Sequence, residues 1–403
     1  MERWRLYFAL AVLLTVTACS QEETADWSSA PMPVVFGTNM EGDTRAMHAI
    51  GNNNALALEG GFGVFASYTG LHKFNDVSVT SDFMYNQHVT WDGVNTQWIY
   101  EPLKYWPNGE SNVVGLNPHY VSFFAYAPYS DNDPGTAPGY CISTFHYQHE
   151  KGNPWLTYRL HPDVDRQVDL LYAQLLDQPK PDVSTRLPLQ FKHALACVGD
   201  KVTVACAEEL CEWFRNTVDG DSHTTNIMVR VNTVDITYTL TEKGRLTLWN
   251  DGEPNWQLIE SGAPTTTRNV SLTSIDTYEL PYALYNYDGS DETNNTWMDL
   301  GHGLFYIPLH INGHEQTVSI TVSYDIVVTT DGEEETQTYT KNSAITLSDY
   351  PSAYEAGQGL QLNIILTGEG DIAVRPVVTK NRVTDWEDGG TTDVPDFMLN
   401  TQT

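Results

Sequence analysis

The sequence predicts an all-β protein built from antiparallel β-sandwiches. Three segments alternate apolar and polar residues with a period of two, at 234–240, 318–328 and 360–366. Such alternation is typical of strands with one face in a core and the other in water. Turn residues separate many further short apolar segments, and no alternation of strands with helices is present. The content of 22 Tyr and 11 Trp also favours strands over helices.

The net charge limits the partners. The 403 residues include 21 Lys and Arg against 52 Asp and Glu, a formal charge of −31. A chain this acidic repels nucleic acid and anionic lipid surfaces, so we expect no nucleic-acid partner. We interpret the charge as favouring solubility outside the cell, with calcium binding as the alternative. The acidic loops at 131–133, 219–221 and 288–292 lack the ligand spacing of an EF-hand.

The N-terminus predicts export. Arg3 and Arg5 precede an apolar run, Leu6–Val16, that is too short to span a bilayer. Small residues then lead to Cys19, a pattern typical of a bacterial lipoprotein signal in which this cysteine is lipidated after cleavage. The alternative is an ordinary secretory signal that is cut nearby. No second apolar run is long enough for a transmembrane helix, so none is expected.

The first half of the chain contains short predicted strands. A polar linker at 20–32 leads to a strand at 33–39. The turn residues Asp92-Gly93 lie between two β-rich segments, which predicts a hairpin over 84–100. The remaining strands predicted before residue 177 are 63–68, 121–127, 155–160 and 168–173.

A polar, proline-bearing break at 177–186 predicts a domain boundary. Beyond it, Asp331-Gly332 separates the strand at 318–328 from a β-rich segment at 336–339, which predicts a second hairpin. Residues 207–214 are the one candidate for a helical turn. The chain from about Asp388 onward is polar, and we expect it to be loose.

Residues capable of catalysis or metal binding are present without a convincing pattern. The pairs His146/His149 and His310/His314 lie in segments that are not helical, so their imidazoles need not converge. Cys141, Cys197, Cys206 and Cys211 lack zinc-site spacing and allow three disulfide connectivities, of which Cys206–Cys211 is closest in sequence. GxSxG, P-loop and GxGxxG motifs are absent. We therefore expect no enzyme, metal or cofactor, with a secreted hydrolase as the weakest hypothesis.

Several tryptophans allow a different function. Trp91, Trp98, Trp106 and Trp155 have the aromatic faces on which sugars stack. Core positions and cross-strand pairs are the commoner use of such residues in hairpins. Glycan binding by a lone surface lipoprotein is therefore the alternative to a structural role.

Several segments together resemble the fimbrillin family, the Mfa-like or type V pilin subunits of Gram-negative anaerobes. Their order and spacing, with the lipoprotein signal, cover nearly the whole chain. The segments are Thr44-Arg45-Ala46, 98–107, 121–129, 169–173, 189–196 and 383–386.

The resemblance implies two transthyretin-like, Greek-key β-sandwich domains in tandem. It also implies a precursor anchored to the outer membrane by lipid and later transferred to a cell-surface fimbria. The expected divisions are a signal peptide at 1–19, a tether with a removable first strand at 20–45, sandwich domains at 46–185 and 186–390, and a tail at 391–403.

In that family, an arginine- or lysine-directed protease removes the first strand, and a strand from a neighbouring subunit, often from its C-terminal end, fills the groove. Mapped here, the strand is Val34–Asn39 and the cut lies between Arg45 and Ala46. Val34, Val35 and Phe36 are then the side chains that leave pockets. The partners implied are other pilin subunits, an arginine-directed maturation protease and the outer membrane. Alternatively Thr44-Arg45-Ala46 is an unprocessed polar loop, as in an uncut anchor subunit.

The C-terminal tail departs from the family pattern. After Trp386 only Val394 and Phe397-Met398-Leu399 could supply donor side chains, and Pro395 interrupts the strand pattern. A subunit that accepts a strand without passing one on would occupy the tip. We therefore expect a structural or a tip, adhesin-like subunit.

Overall fold

We describe a computed structural model of the chain. The described residues are 31–40, 56–57, 59–74, 79–107, 119–131, 141–206, 225–259, 265–272, 296–298, 303–366 and 372–379. Within these ranges the named elements are twenty strands and three short 3-10 turns, which confirms the all-β prediction. The predicted helical turn at 207–214 lies outside the described residues. Within the described part of the chain, no helix has the length and apolar character needed to cross a membrane.

The strands are numbered in chain order. The first nine are β1 Val35–Met40, β2 Phe62–Gly70, β3 Met84–Asp92, β4 Gln97–Ile99, β5 Tyr120–Ala127, β6 Cys141–Phe145, β7 Trp155–Arg159, β8 Leu171–Pro179 and β9 Arg186–His193. The others are β10 Ala196–Cys206, β11 Thr225–Thr241, β12 Lys243–Thr247, β13 Asn255–Gln257, β14 Thr265–Leu272, β15 Thr296–Met298, β16 Leu304–Tyr306, β17 Thr317–Thr330, β18 Glu333–Thr346, β19 Gly359–Leu366 and β20 Ile372–Thr379.

A seven-stranded sheet with the order β1-β9-β8-β5-β2-β3-β4 forms the first part of the molecule. The hairpin predicted over 84–100 is confirmed as β3 and β4, with Trp91 opposite Trp98. The Asp92 carboxylate accepts hydrogen bonds from the backbone N–H groups of Val94 and Asn95, which stabilises the turn.

Both faces of this sheet are buried. Phe123 on β5 packs into one apolar cluster with Val64 and Phe62, whereas its neighbour Phe124 packs into a second cluster with Phe65. Since successive side chains of a strand point to opposite faces, a strand covered on both sides is apolar throughout. This explains why the sequence of β5 is continuously apolar.

The second cluster is covered by a four-stranded sheet with the order β13-β12-β7-β6. Its strands come from both sides of the predicted domain boundary, because β12 pairs with β7. Strand β9, which begins at that boundary, pairs with β8 and β1. The pairing thus links chain segments across residues 185 and 186. The division into two transthyretin-like units remains a prediction.

The third cluster lies between the sheet β14-β11-β17-β18 and a sheet that contains β10, β15, β16, β19 and β20. The predicted alternation is confirmed here: Val318, Ile320 and Val322 are buried and the residues between them are half-buried. The hairpin predicted around Asp331-Gly332 is confirmed as β17 and β18.

The prediction of wholly antiparallel sheets is wrong at two places. Strand β1 pairs with β9 in parallel, and β10 pairs with β19 in parallel. Each pair joins strands that are far apart in the sequence. A parallel pair needs a long connection rather than a tight turn, so no turn signal in the sequence announces it.

Candidate functional site

Strand β1 pairs along one edge, and the residues just before it pair on the other side of the chain. On one side it runs parallel to β9, from Val35 opposite Arg186 to Met40 opposite Phe191. On the other side the residues just before β1 meet the segment after β4, where the Val34 N–H donates to the carbonyl of Lys104 at 2.9 Å. The Trp106 N–H donates to the carbonyl of Met32, also at 2.9 Å. The first strand and the residues before it therefore lie between β9 and the segment that follows β4.

We call the site that holds this strand the first-strand groove. Its walls are residues 186–191 of β9 and residues 104–106. The aromatic side chains that line it are Phe62, Trp98, Tyr100 and Phe123.

Alternate residues of the first strand face the core. Val34 is 0% exposed and Phe36 is 1% exposed, whereas Val35 between them is half-buried. The Phe36 ring lies 5.5 Å from that of Tyr100, 5.9 Å from that of Phe123 and 6.0 Å from that of Phe62, centroid to centroid. Of the three apolar residues expected to fill pockets, Val34 and Phe36 thus occupy the core, and Val35 lies on the other face of the strand.

Two side-chain hydrogen bonds fix the position of the first strand along the groove. The indole N–H of Trp98 donates to Thr38 Oγ1 at 2.9 Å. The Tyr100 hydroxyl donates to the Val34 carbonyl at 2.8 Å. Burial raises the pKa of Tyr100 to about 12, so its hydroxyl remains a donor at neutral pH. A strand displaced by one residue would present the wrong groups to both donors.

Gly37 allows β1 to approach β9 closely. A Cβ atom at Gly37 would lie 3.3 Å from the Cβ atom of Arg186, which lies two residues before Pro188, the partner of Gly37 in the parallel register. That distance is tighter than an ordinary contact between carbon atoms. A residue larger than glycine at this place therefore requires a small movement of β9.

The other predicted site residues have different outcomes. Cys19, Arg45 and Ala46 lie outside the described residues, so lipidation and cutting remain predictions. His146 is buried with its ring 6.1 Å from that of Trp155, and His149 is exposed and pairs with Asp82 at 2.6 Å. Within the described ranges the structure groups no set of His, Cys, Asp and Glu side chains that could hold a metal ion.

The four candidate tryptophans and one cysteine side chain lie among the described residues. Trp98 and Trp106 are buried, and Trp91 pairs with Trp98 across the hairpin, as the structural interpretation predicts. Trp155 is half-buried, with the guanidinium carbon of Arg245 lying 4.1 Å from its ring centroid. Cys197 is a buried thiol.

Two segments of the family resemblance meet in the structure. Leu171 of β8 pairs with His193 of β9, next to a buried contact between Asp169 Oδ2 and His193 Nδ1 at 2.5 Å. The other oxygen of Asp169 accepts a hydrogen bond from the backbone N–H of Leu170 at 2.8 Å. The sequence alone does not identify this pair, because the two residues are 24 positions apart and form no local motif.

The hydrogen bonds of Trp98, Tyr100 and Thr38 are a second feature that the sequence alone does not identify. A core or cross-strand position explains the burial of the Trp98 ring but not the partner of its N–H group. A buried tryptophan needs a hydrogen-bond acceptor. That requirement was the available signal, although the sequence does not identify Thr38 as the acceptor.

The fold and the groove define a class of protein: an all-β molecule of stacked sheets in which the first strand of the chain forms one end of the first sheet. The chain belongs to the fimbrillin-like family, whose family model matches residues 44–386.

Solved structures extend the comparison. A fimbrial protein from Bacteroides vulgatus has a TM-score of 0.61 and 21% sequence identity, with 86% of this chain and 98% of that chain covered. A candidate cell adhesion protein from Bacteroides uniformis has a TM-score of 0.36 and 13% identity, with 86% and 97% covered. The likeness in fold rests on the first of these. No curated protein matches the sequence.

Proposed function

We propose that the chain is a structural or tip subunit of a cell-surface fimbria, assembled by removal of its first strand and addition of a strand from a neighbouring subunit. The observation that carries the proposal is the pairing of the first strand with β9, and of the residues just before it with residues 104–106, in an aromatic groove. Membership of the fimbrillin-like family supports it, as does the likeness to a protein described as fimbrial. The role is structural and requires no catalytic group.

A single cut would separate the strand from the rest of the molecule. The next described residue after Met40 is Leu56, and the proposed cut between Arg45 and Ala46 falls between them. The protease proposed is arginine-directed. Before that step, the precursor is exported and anchored to the outer membrane through lipid on Cys19. The family model begins to match at residue 44, beside the proposed cut.

Noncovalent contacts would then hold the strand. Complete burial of Val34 and Phe36 contributes roughly 1.5–3 kcal/mol each. The hydrogen bonds to β9 and to residues 104–106 add to this total, and the lost freedom of an ordered peptide subtracts from it. The balance is small enough for exchange with another strand of comparable pattern.

An empty groove would favour such a replacement. Removing residues 32–40 leaves unpaired backbone groups on β9 and at residues 104–106, and it exposes the rings of Phe62 and Phe123. Exposed strand edges bind another strand through backbone hydrogen bonds, and pockets for alternate side chains supply specificity. The groove therefore has the two features that addition of a strand needs.

The glycan-binding alternative gains little from the structure. The rings of Trp98 and Trp106 are buried, and the Arg245 guanidinium lies over the ring of Trp155. Tyr147 is 69% exposed, but its neighbour Trp155 meets it edge-on at 90°. These residues do not offer the open aromatic faces on which a sugar stacks.

The test begins with the purified precursor and an arginine-specific protease. We expect cutting after Arg45, an N-terminal Ala46 in the product, and multimers that resist SDS. Arg45→Ala should prevent both the cut and the multimers. Arg166→Ala is the matched control, since it removes an exposed arginine elsewhere in the chain and should leave both unchanged. Complete cutting without multimers would overturn the proposal.

A further inference from the structure

The outer face of the β13-β12-β7-β6 sheet is opposite in charge to the chain as a whole. Leu156, Tyr158 and Leu246 point into the core cluster, so the residues that alternate with them on the two central strands point away from it. Those outward residues are Trp155, Thr157, Arg159, Lys243, Arg245 and Thr247. They include three cations and no acid, although acids outnumber cations by 52 to 21 in the sequence. We call this surface the cationic face.

Two of the three cations lie directly opposite each other. Arg159 of β7 pairs with Lys243 of β12, and like charges in opposed positions destabilise a sheet. Arg245 adds a third positive charge two residues further along β12, on the same side of the sheet. Arg159 is exposed, and the other two are half-buried. An anion bound among them would offset their repulsion, so the arrangement favours a negatively charged ligand.

Arg245 is held in a fixed orientation. Its guanidinium carbon lies 4.1 Å from the centroid of the Trp155 ring. Its Nε atom is buried and has no hydrogen-bond acceptor in the described part of the chain. A guanidinium group that stacks on a ring keeps the N–H groups of its edge for an anion, and a carboxylate can accept two of these hydrogen bonds at once. Arg245 therefore has the orientation of an anion-binding group.

The acids that are nearest in the sequence lie beyond the ends of this face. Glu242 precedes Lys243, and both of its carboxylate oxygens accept hydrogen bonds from Arg268. Asp251 and Glu253 are exposed in the connection between β12 and β13, at the far end of the sheet from Lys243. None of these acids belongs to the outward residues of the two central strands. The excess of positive charge is therefore local to the face.

We propose that the cationic face binds a polysaccharide that carries carboxylate groups. Thr144 and Gln257, both exposed, continue the row of Thr157 and Arg245 onto the outer strands. Hydroxyl and amide groups thus lie beside the cations, where they can pair with sugar hydroxyls while the cations pair with sugar carboxylates. Binding is through charge and hydrogen bonds rather than stacking, because Arg245 covers the ring beneath it.

Other anionic partners fit this face less well. The core of a protein interface is apolar and poor in charged residues, whereas the centre of this face is charged. An anionic membrane would meet a wide area of a chain with a formal charge of −31, and that charge repels it. A polysaccharide chain is narrow enough to contact the face alone.

The cationic face is separate from the first-strand groove. Strands β6, β7, β12 and β13 form a sheet of their own, and β1 belongs to another. Uncut and cut chains should therefore bind the polysaccharide equally, and this inference does not depend on strand exchange. On a fibre of repeating subunits, many such sites could hold one polysaccharide chain, which raises the affinity without any new contact.

The test measures binding of polygalacturonate, a polymer of carboxylated sugars, to the uncut precursor by surface plasmon resonance. The buffer contains about 0.1 M salt, so that charges more than roughly 10 Å apart are largely screened. Arg159→Gln combined with Lys243→Gln should weaken binding about tenfold. Lys341→Gln, which removes a half-buried lysine from a different sheet, is the matched control and should leave binding unchanged. Equal weakening by the control would mean attraction to overall charge and would overturn the site.

Stability measurements separate a binding role from a structural one. Lys243→Gln removes one of two opposed like charges, so the midpoint of thermal unfolding should not fall while binding weakens. A lower midpoint with unchanged binding would assign the lysine to the fold and overturn its role in the site.

Other polymers test the choice of ligand. Dextran, which is uncharged, should not bind. Polyglutamate that binds as tightly as polygalacturonate would overturn the choice of a polysaccharide in favour of an acidic protein. A precursor that binds no polygalacturonate would overturn the inference as a whole, whereas cutting at Arg45 and the formation of multimers would be unaffected by that result.

Discussion

The first-strand groove and the β17–β18 hairpin both hold a strand in a sheet, but the paired strands are connected in different ways. In the hairpin, two strands of 14 residues pair through a turn at Asp331-Gly332, so their connection is local. In the groove, β1 pairs with β9, which lies far along the chain, and the residues just before β1 pair with the segment after β4. A single backbone cut after β1 detaches a whole strand from the rest of the chain, whereas a cut outside the hairpin leaves β17 joined to β18.

The two regions also differ in what fills their cores. Around Phe36 the contacts are between aromatic rings, from Phe62, Tyr100 and Phe123. The buried face of β17 is mainly Val and Ile, which continue along the strand. The first strand thus concentrates its packing in the large side chain of Phe36. Strand β17 spreads its packing over many smaller side chains.

The largest expected effect comes from deleting the central ring of β1. Phe36→Ala should destabilise the uncut protein by about 3–5 kcal/mol, because three ring contacts are lost and a cavity remains. Leu362→Ala, in the core of the second region, should cost about 2–5 kcal/mol. Urea unfolding measures both changes.

The release rate of the detached peptide distinguishes the two variants more sharply than their stability does. After cutting at Arg45, Phe36→Ala should speed release of the detached peptide, and Leu362→Ala should leave its release rate unchanged. Gel filtration followed by mass spectrometry measures the free peptide. Equal release rates of the peptide from the two variants would contradict the expectation that packing within the groove controls release of the first strand.

A smaller effect is expected in the turn of the hairpin. Gly332 has φ +89°, a conformation that residues with a Cβ atom rarely adopt. Gly332→Ala should therefore destabilise the protein by about 1–2 kcal/mol, although no atom crowds the added methyl group. Gly93→Ala, in the β3–β4 turn, is the control, because Gly93 is not among the positive-φ glycines. Thermal unfolding compares the two, and similar losses would argue against a conformational cause.

The smallest expected effect is a pH dependence at the groove. Burial raises the pKa of Tyr100 from its usual value of 10.0 to about 12. The folded state therefore holds this proton more tightly than the unfolded state does. Its contribution to stability is fully present below pH 10 and is lost as the pH rises towards 12. The loss of stability over this range should be smaller in Tyr100→Phe than in the parent protein.

Cutting and release of the strand should also lower the pKa of Tyr100 towards its usual value, since the residues that bury it leave. Absorbance titration of the tyrosines, with Tyr100→Phe as the reference, measures this change. An unchanged pKa after release would show that β1 is not what buries Tyr100.

The strands and hairpins could be predicted because their signals are local. Alternation in 318–328 and the turn residues at 92–93 and 331–332 are properties of neighbouring residues, and the structure confirms them. The parallel pairing of β1 with β9 could not be predicted, because no side-chain pattern in 33–39 identifies a partner near residue 186. Backbone hydrogen bonds, which form most of that pairing, are the same for every sequence.

The groove was predictable only in part. Three adjacent apolar residues, Val34-Val35-Phe36, leave open which of them face the core, and burial of Val34 and Phe36 answers that question. The hydrogen bond from Trp98 to Thr38 joins positions 60 residues apart. Its chemistry could be anticipated from the tryptophan, whereas its partner depends on how the sheet closes.

The closed groove of the uncut chain would give the cell control over fibre length. In the proposed assembly, a chain that keeps its own first strand has no room for a neighbour's strand. Such a chain would end growth on one side of a head-to-tail fibre. Mixing Arg45→Ala chains with normal ones would then shorten fibres in proportion to the dose, as a chain terminator does in polymer synthesis.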